Sequence, residues 1–199
     1  MPNTINDAIQ AYDEIASLYA DYNFPKLLQF QLNKFISLLV GKKILDAGCG
    51  PGRDLQYFNE EGLDVTGIDI SKGMLRECKR RAGIMGLQMD MRKMSFQDNM
   101  FDGIWCMSSL SDIPREDSEK TINEFYRILK RGGVVYIAVK SGDGTEIIKK
   151  KKYNDMPRVY VYYKQHELEG LLKKKFVIIS SNTINDQGTS WVEVFAKKI

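Results

Sequence analysis

The stretch Ile44-Leu45-Asp46-Ala47-Gly48-Cys49-Gly50-Pro51-Gly52-Arg53-Asp54 constrains the fold more than any other part of the chain. An apolar run passes directly into three glycines at alternate positions, and a helical pattern follows at once. That order builds a strand, a tight turn and a helix N-terminus whose first backbone N–H groups have no intrahelical partner and are open to a ligand. Glycine is needed where the chain turns sharply and where a side chain would hold the ligand off the backbone. About twenty residues beyond the first glycine, a second apolar run over 63–68 ends at Asp69, placed to accept hydrogen bonds from ribose hydroxyls. Together these features read as a site for a nucleoside-containing cofactor.

A dinucleotide does not suit the pattern. Its fingerprint, G-x-G-x-x-G, uses the third glycine to pack helix against strand. Here Arg53 holds that position and the third glycine, Gly52, falls one residue early. Asp46 also precedes the loop, where it would repel a pyrophosphate and attract a cationic amine.

The pattern D-x-G-x-G-x-G resembles the first motif of the class I S-adenosylmethionine-dependent methyltransferases, and further segments follow in that family's order. Val65-Thr66-Gly67-Ile68-Asp69-Ile70-Ser71 is similar to the second motif, and Leu87-Gln88-Met89-Asp90-Met91 to the third. Phe101-Asp102-Gly103-Ile104-Trp105-Cys106-Met107 resembles the fourth strand. Glu124-Phe125-Tyr126-Arg127-Ile128-Leu129-Lys130-Arg131-Gly132-Gly133 resembles the helix and turn before the fifth strand, with Arg131 where the family usually has proline. The likeness is strong over 40–140 and loose elsewhere.

Composition fits one compact enzyme domain over 1–199. A net charge of +3 is too small to argue for nucleic acid. Three widely spaced cysteines indicate neither a disulfide framework nor a metal site. The first residues carry Asp7, Asp13 and Glu14 and no apolar core of a signal peptide. No apolar run approaches the roughly 18–20 residues of a membrane span, and a reducing cytoplasm is the expected location.

Periodicity predicts N-terminal helices over 5–20 and 25–39, the second with Pro25 at its start and an apolar stripe of Leu27, Leu28, Phe30, Leu32, Phe35, Ile36 and Leu39. Strands are expected near 43–47, 64–69, 85–89, 101–107 and 133–139, and helices near 53–61, 72–82 and 114–130. A late helix near 164–173 and strands near 176–182 and 190–197 complete the chain. The alternation gives the α/β class with a doubly wound parallel sheet. The resemblance extends this to seven mostly parallel strands, a Rossmann-like methyltransferase fold with an antiparallel C-terminal strand. It also implies N-terminal lid helices (1–40), a cofactor-binding core (41–140), a substrate-side insertion (141–165) and a terminal helix with a strand pair (166–199).

The resemblance further implies S-adenosylmethionine as cofactor, S-adenosylhomocysteine as product, and methyl transfer by in-line displacement to a small-molecule acceptor. Gly48, Cys49, Gly50 and Gly52 would lie along the methionine portion and Asp46 would hold its amino group. Asp69 would take the ribose diol. Ile70 and Met91 would sandwich adenine, with Met74 nearby and Asp90 accepting from the adenine amino group. Cys106 and its neighbours would approach the methyl group, and Tyr19 would line the pocket from the lid.

Catalytic residues are not identified. Asp112 is a weak candidate for a base, and the preferred reading makes it an N-terminal cap or dipole partner of a helix beginning near Pro114. Ser108, Ser109 and Ser111 stand where the family often contacts substrate. His166 reads as a surface residue of the late helix. Tyr12, Ile15, Ala16 and Tyr19 share one helical face, which packing alone would explain. Lys149–Lys152, Arg158 and the interleaved Tyr153, Tyr160, Tyr162 and Tyr163 are read as a solvated loop, ahead of an RNA-facing patch or a clamp for an acidic or phosphorylated substrate. The alternatives to a small-molecule enzyme are an RNA methyltransferase and a non-catalytic regulatory protein that binds S-adenosylmethionine. An Asn/Asp-Pro-Pro-aromatic tetrad, typical of exocyclic-amine methylation, is absent after the fourth strand.

Overall fold

Strand β1 (Lys43–Ala47) buries Ile44, Leu45 and Ala47 completely, as a strand covered on both faces must. The computed structural model describes residues 5–186 and 188–199, and sets β1 at the middle of a seven-stranded sheet. The other strands are β2 (Asp64–Asp69), β3 (Leu87–Gln88), β4 (Phe101–Met107), β5 (Leu129–Lys140), β8 (Phe176–Asp186) and β9 (Thr189–Lys198). Their order is β3-β2-β1-β4-β5-β9-β8. The first five are parallel, and β9 runs antiparallel to both β5 and β8. Strand order reverses between β1 and β4, which opens a crevice beyond their carboxyl ends.

The strand periodicity of two divides the core. Leu45, Ile104, Val135 and Ile137 face one layer, with Phe125 of α5 (Ser118–Ile128) and Leu168 and Leu172 of α6 (Gln165–Lys173). Ile44, Trp105, Val134 and Tyr136 face the other, with Leu32 and Phe35 of α2 (Gln29–Leu38) and Phe58 of α3 (Arg53–Glu60). Phe35, Phe58 and Trp105 meet in tilted and edge-on contacts with ring centroids 5.4–5.6 Å apart. Helix α1 (Ile5–Asn23) packs on α4 (Lys72–Ala82), where Asp13 Oδ1 accepts from Ser71 Oγ and Gly73 N, each at 2.6 Å. Among the described residues no helix is long and apolar enough to cross a membrane.

Several expectations need correction. Helix α2 begins at Gln29, and Pro25 lies in the link before it. Its stripe is only partly buried: Leu32 and Phe35 enter the core whereas Phe30 is 72% exposed. Thus α2 chiefly covers the sheet, and α1 does more of the roofing. Strand β3 is only two residues long, Leu87 and Gln88 pairing with Ile68 and Asp69 of β2, and Met89, Met91 and Met94 beyond it turn into the core. One 3-10 turn (Arg115–Asp117) precedes α5, so the helix starts four residues later than Pro114. The segment after 141 is no solvated loop: β6 (Thr145–Ile148) and β7 (Arg158–Val161) form an antiparallel ribbon with Arg158, Tyr160 and Val161 buried.

Phe58→Ala removes the ring that bridges Phe35 and Trp105. Chemical denaturation should show a loss of about 3–5 kcal/mol in unfolding free energy.

Candidate cofactor and acceptor site

The turn after β1 is closed by backbone bonds. Gly48 N and Cys49 N both donate to the Ile68 carbonyl at 2.9 Å, and Gly52 N donates to Cys49 O at 3.0 Å. Gly48 has φ +82°, and a Cβ there would lie 2.1 Å from Ser109 Oγ, so the position admits only glycine without displacement. Ser109 Oγ in turn donates to Gly48 O at 3.1 Å, which ties the turn to the end of β4. Gly50, φ +53°, borders open space.

Asp69 closes β2 and clamps its neighbours: Oδ2 accepts from Gly50 N and Oδ1 from Ser71 N, each at 2.9 Å. Burial pushes its carboxyl up to about 6, against the lowering effect of those amides. Ser71 Oγ caps α4 by accepting from Met74 N at 3.0 Å. Asp46 is 3% exposed and its Oδ2 has no partner. Burial, then the charge of Asp54, raises its pKa. Asp54 is otherwise occupied, by a two-bond pair with Arg53 (2.6 and 2.8 Å) and by Trp105 Nε1 at 2.9 Å.

These groups border a cavity of about 420 Å³. Asp46, Gly48, Cys49, Gly50, Asp69, Ile70, Met74, Asp90, Met91 and Tyr19 all line it. The structure does not bring two of the expected residues to the wall. Gly52 (φ +87°) turns the chain into α3 against Cys78 and Ala82. Cys106 is fully buried in the core beneath, and burial pushes its thiol up to about 12. Alternation along β4 explains the latter: the wall begins one residue later, at Met107, Ser108 and Ser109. Ser111 is buried and lines nothing. Asp90 reaches the cavity, but Arg92 binds both its oxygens through Nε and Nη2.

At the far end, Asp112 faces inward from a 3-10 turn (Ser109–Asp112) and caps no helix. Both its oxygens accept from the Tyr12 hydroxyl, at 3.1 and 3.2 Å. Burial pushes its carboxyl up to about 7. Tyr12 and Tyr19 therefore do more than pack. Their rings meet edge-on at 5.6 Å, and Tyr19 stacks on Tyr153 at 5.7 Å. Sequence reasoning underrated Tyr12, Tyr153, Arg158 and Tyr160. The signal available was the alternation of basic and aromatic residues at 149–163, which the ribbon turns inward. His166 is exposed in the first turn of α6.

Residues 45–137 match the family model described as "Methyltransferase domain". Over 129 residues the chain is 34% identical to malonyl-[acyl-carrier protein] O-methyltransferase of Salmonella typhimurium, covering 63% of this chain and 50% of that protein. It is 30% identical to ubiquinone biosynthesis O-methyltransferase of Klebsiella pneumoniae, over 53% and 46% of the two chains. The chain thus spans about half the length of these curated relatives. The Burkholderia thailandensis 1,6-didemethyltoxoflavin-N1-methyltransferase, solved with S-adenosylhomocysteine, superposes with a TM-score of 0.75 at 20% identity, covering 98% of this chain and 86% of that one.

The residues present fit S-adenosylmethionine. The orphaned Asp46 oxygen suits an ammonium group. Gly50 borders open space beside the Asp69 carboxylate, and Ile70, Met74 and Met91 supply apolar walls. Asp69→Ala should weaken S-adenosylhomocysteine binding roughly 10- to 100-fold by calorimetry, the value of hydrogen bonds to a charged group; unchanged affinity would refute the ribose assignment. Motif order, strand order and the match of residues 45–137 to a methyltransferase domain support a class I S-adenosylmethionine-dependent methyltransferase.

Proposed function

We propose that the protein methylates a small-molecule acceptor seated between the glycine turn and the ribbon β6–β7, at the reducing conditions of the cytoplasm that its three free thiols suit. In this reading the chain acts as one domain, with 141–165 as its substrate-side wall. The observation that carries it is the continuity of the cavity: one space runs from Asp46 and Asp69 to Asp112 and Tyr12. Its volume of about 420 Å³ lies in the range of small-ligand pockets.

When bound, S-adenosylmethionine would supply an electrophilic methyl to an acceptor atom, the carbon–sulfur bond breaking as the new bond forms and the sulfur leaving with the electron pair. The chain's own task is to orient and enclose. Tyr12 and Tyr19 on α1 with Tyr153 and Tyr160 beside the ribbon wall off the acceptor end. Asp112 is the group placed to take a proton from an acceptor hydroxyl, and the Tyr12 hydroxyl steadies the carboxylate that does so. A buried carboxyl near neutrality is matched to that work.

Incubation with methyl-tritiated S-adenosylmethionine should label a small-molecule fraction of a metabolite extract and leave added tRNA unlabelled. Label on tRNA would favour the nucleic-acid alternative, and none anywhere the regulatory one. Asp112→Asn should lower kcat by about 10²–10⁴-fold while S-adenosylhomocysteine affinity holds. Because the base works deprotonated, the parent's rate should rise as pH climbs through about 7, and that limb should vanish in the variant.

A further inference from the structure

Methyl transfer leaves the position of Arg158 unexplained. The residue opens β7, is 3% exposed and lines the cavity. Three rings surround its guanidinium, with centroids at 4.5 Å (Tyr153), 5.3 Å (Tyr160) and 5.8 Å (Tyr12). Nη1 donates to the Tyr160 hydroxyl at 2.9 Å, whereas the buried Nε has no partner. A charge taken out of water is ordinarily matched by an opposite one. Among the described residues, no carboxylate forms an ion pair with Arg158.

A second cation shares this wall. Lys140, at the end of β5, places Nζ 3.6 Å from the centroid of the Tyr160 ring and is likewise without an ion pair. Burial, then the charges of Lys150 and Arg158, lowers its pKa to about 8. The same crowding depresses Lys150. The acid on this side, Asp112, has its oxygens on Tyr12. Asp112 attracts both cations, but Lys150 and Lys152 line the cavity beside them, so cations outnumber carboxylates around the Tyr153 and Tyr160 rings.

We propose that Arg158 and Lys140 form an anion subsite that takes the carboxylate or phosphate of a flat, unsaturated acceptor. The proposal rests on the methyl-transfer reading and deepens it by naming the acceptor's class. An oxyanion would fill the open Nε–H position of Arg158 in a charge-assisted bond and lie against the Lys140 ammonium. Tyr12, Tyr19 and Tyr153 would flank its planar body. Neutral or cationic acceptors would leave the buried Arg158 Nε–H unpaired beside an excess of positive charge, so the subsite also selects against them.

Two measurements test this. In protein saturated with S-adenosylhomocysteine, the Arg158 Nε–H resonance, assigned through Arg158→Lys, should shift saturably with benzoate or phenyl phosphate and stay put with benzamide. The stronger of the two anions identifies the head group. In parallel, a metabolite extract is split on anion-exchange resin and each fraction is assayed with tritiated S-adenosylmethionine. Label should appear in the retained fraction, vanish after phosphatase if the group is a phosphate monoester, and survive if it is a carboxylate. Arg158→Gln should raise the KM for that fraction roughly 10- to 100-fold, and Lys140→Met less, with S-adenosylhomocysteine affinity unchanged as the check on folding. Label confined to the flow-through, or a resonance indifferent to both anions, overturns the subsite. A shifting resonance with no label in any fraction would instead sink the methyl-transfer reading and leave the subsite standing.

Discussion

The fold and the site both depend on how the turn after β1 is fastened to the end of β2. Two consecutive amides, Gly48 N and Cys49 N, converge on one carbonyl, that of Ile68, and the next residue of β2, Asp69, reaches back to Gly50 N. Neighbouring parallel strands β1 and β2 thereby share a single corner beside the point, between β1 and β4, where the strand order reverses. The corner holds because Gly48 adopts a left-handed conformation with no room for a side chain. Removing any partner would leave buried amides or a buried carboxylate unpaired, a cost comparable to or above that of the bond itself. The Asp69 carboxylate thus has two duties, holding the turn and facing the cavity, and burial makes it more basic than a free aspartate.

The cofactor half was legible because its signals are local. A glycine needed for positive φ, an acid ending an apolar strand and the strand alternation itself are all read locally, and Gly48, Gly50, Asp46 and Asp69 line one cavity. Gly52 and Cys106 show the limit. Each belongs to the right segment, but only the exact alternation along β4 and the direction of α3 decide whether a residue meets the cavity or the core. Asp112 shows another limit. Its sequence position before a proline suggested a cap, whereas a 3-10 turn directs it toward Tyr12, exactly one hundred residues earlier in the chain.

The acceptor half was largely illegible for a related reason. A run of lysines with interspersed tyrosines looks the same whether solvated or folded inward, because propensity does not record which face of a ribbon is covered. Pairing of β6 with β7 settles it: Arg158 and Tyr160 share one face of β7 by their spacing of two, and that face lines the cavity, while Val161 on the other enters the core. The two halves differ in electrical character. Aspartates surround the region of the glycine turn, where a sulfonium and an ammonium would be drawn, and Arg158, Lys140, Lys150 and Lys152 gather opposite around Asp112.

Asp13 gives α1 a role beyond shape. One of its carboxylate oxygens holds both the Ser71 hydroxyl and the Gly73 amide at the positive end of α4, while Tyr12 and Tyr19 on the same helix line the cavity. The helix is therefore latched to the very loop that follows Asp69. Displacing α1 from the cavity would therefore break two hydrogen bonds at the start of α4 at once.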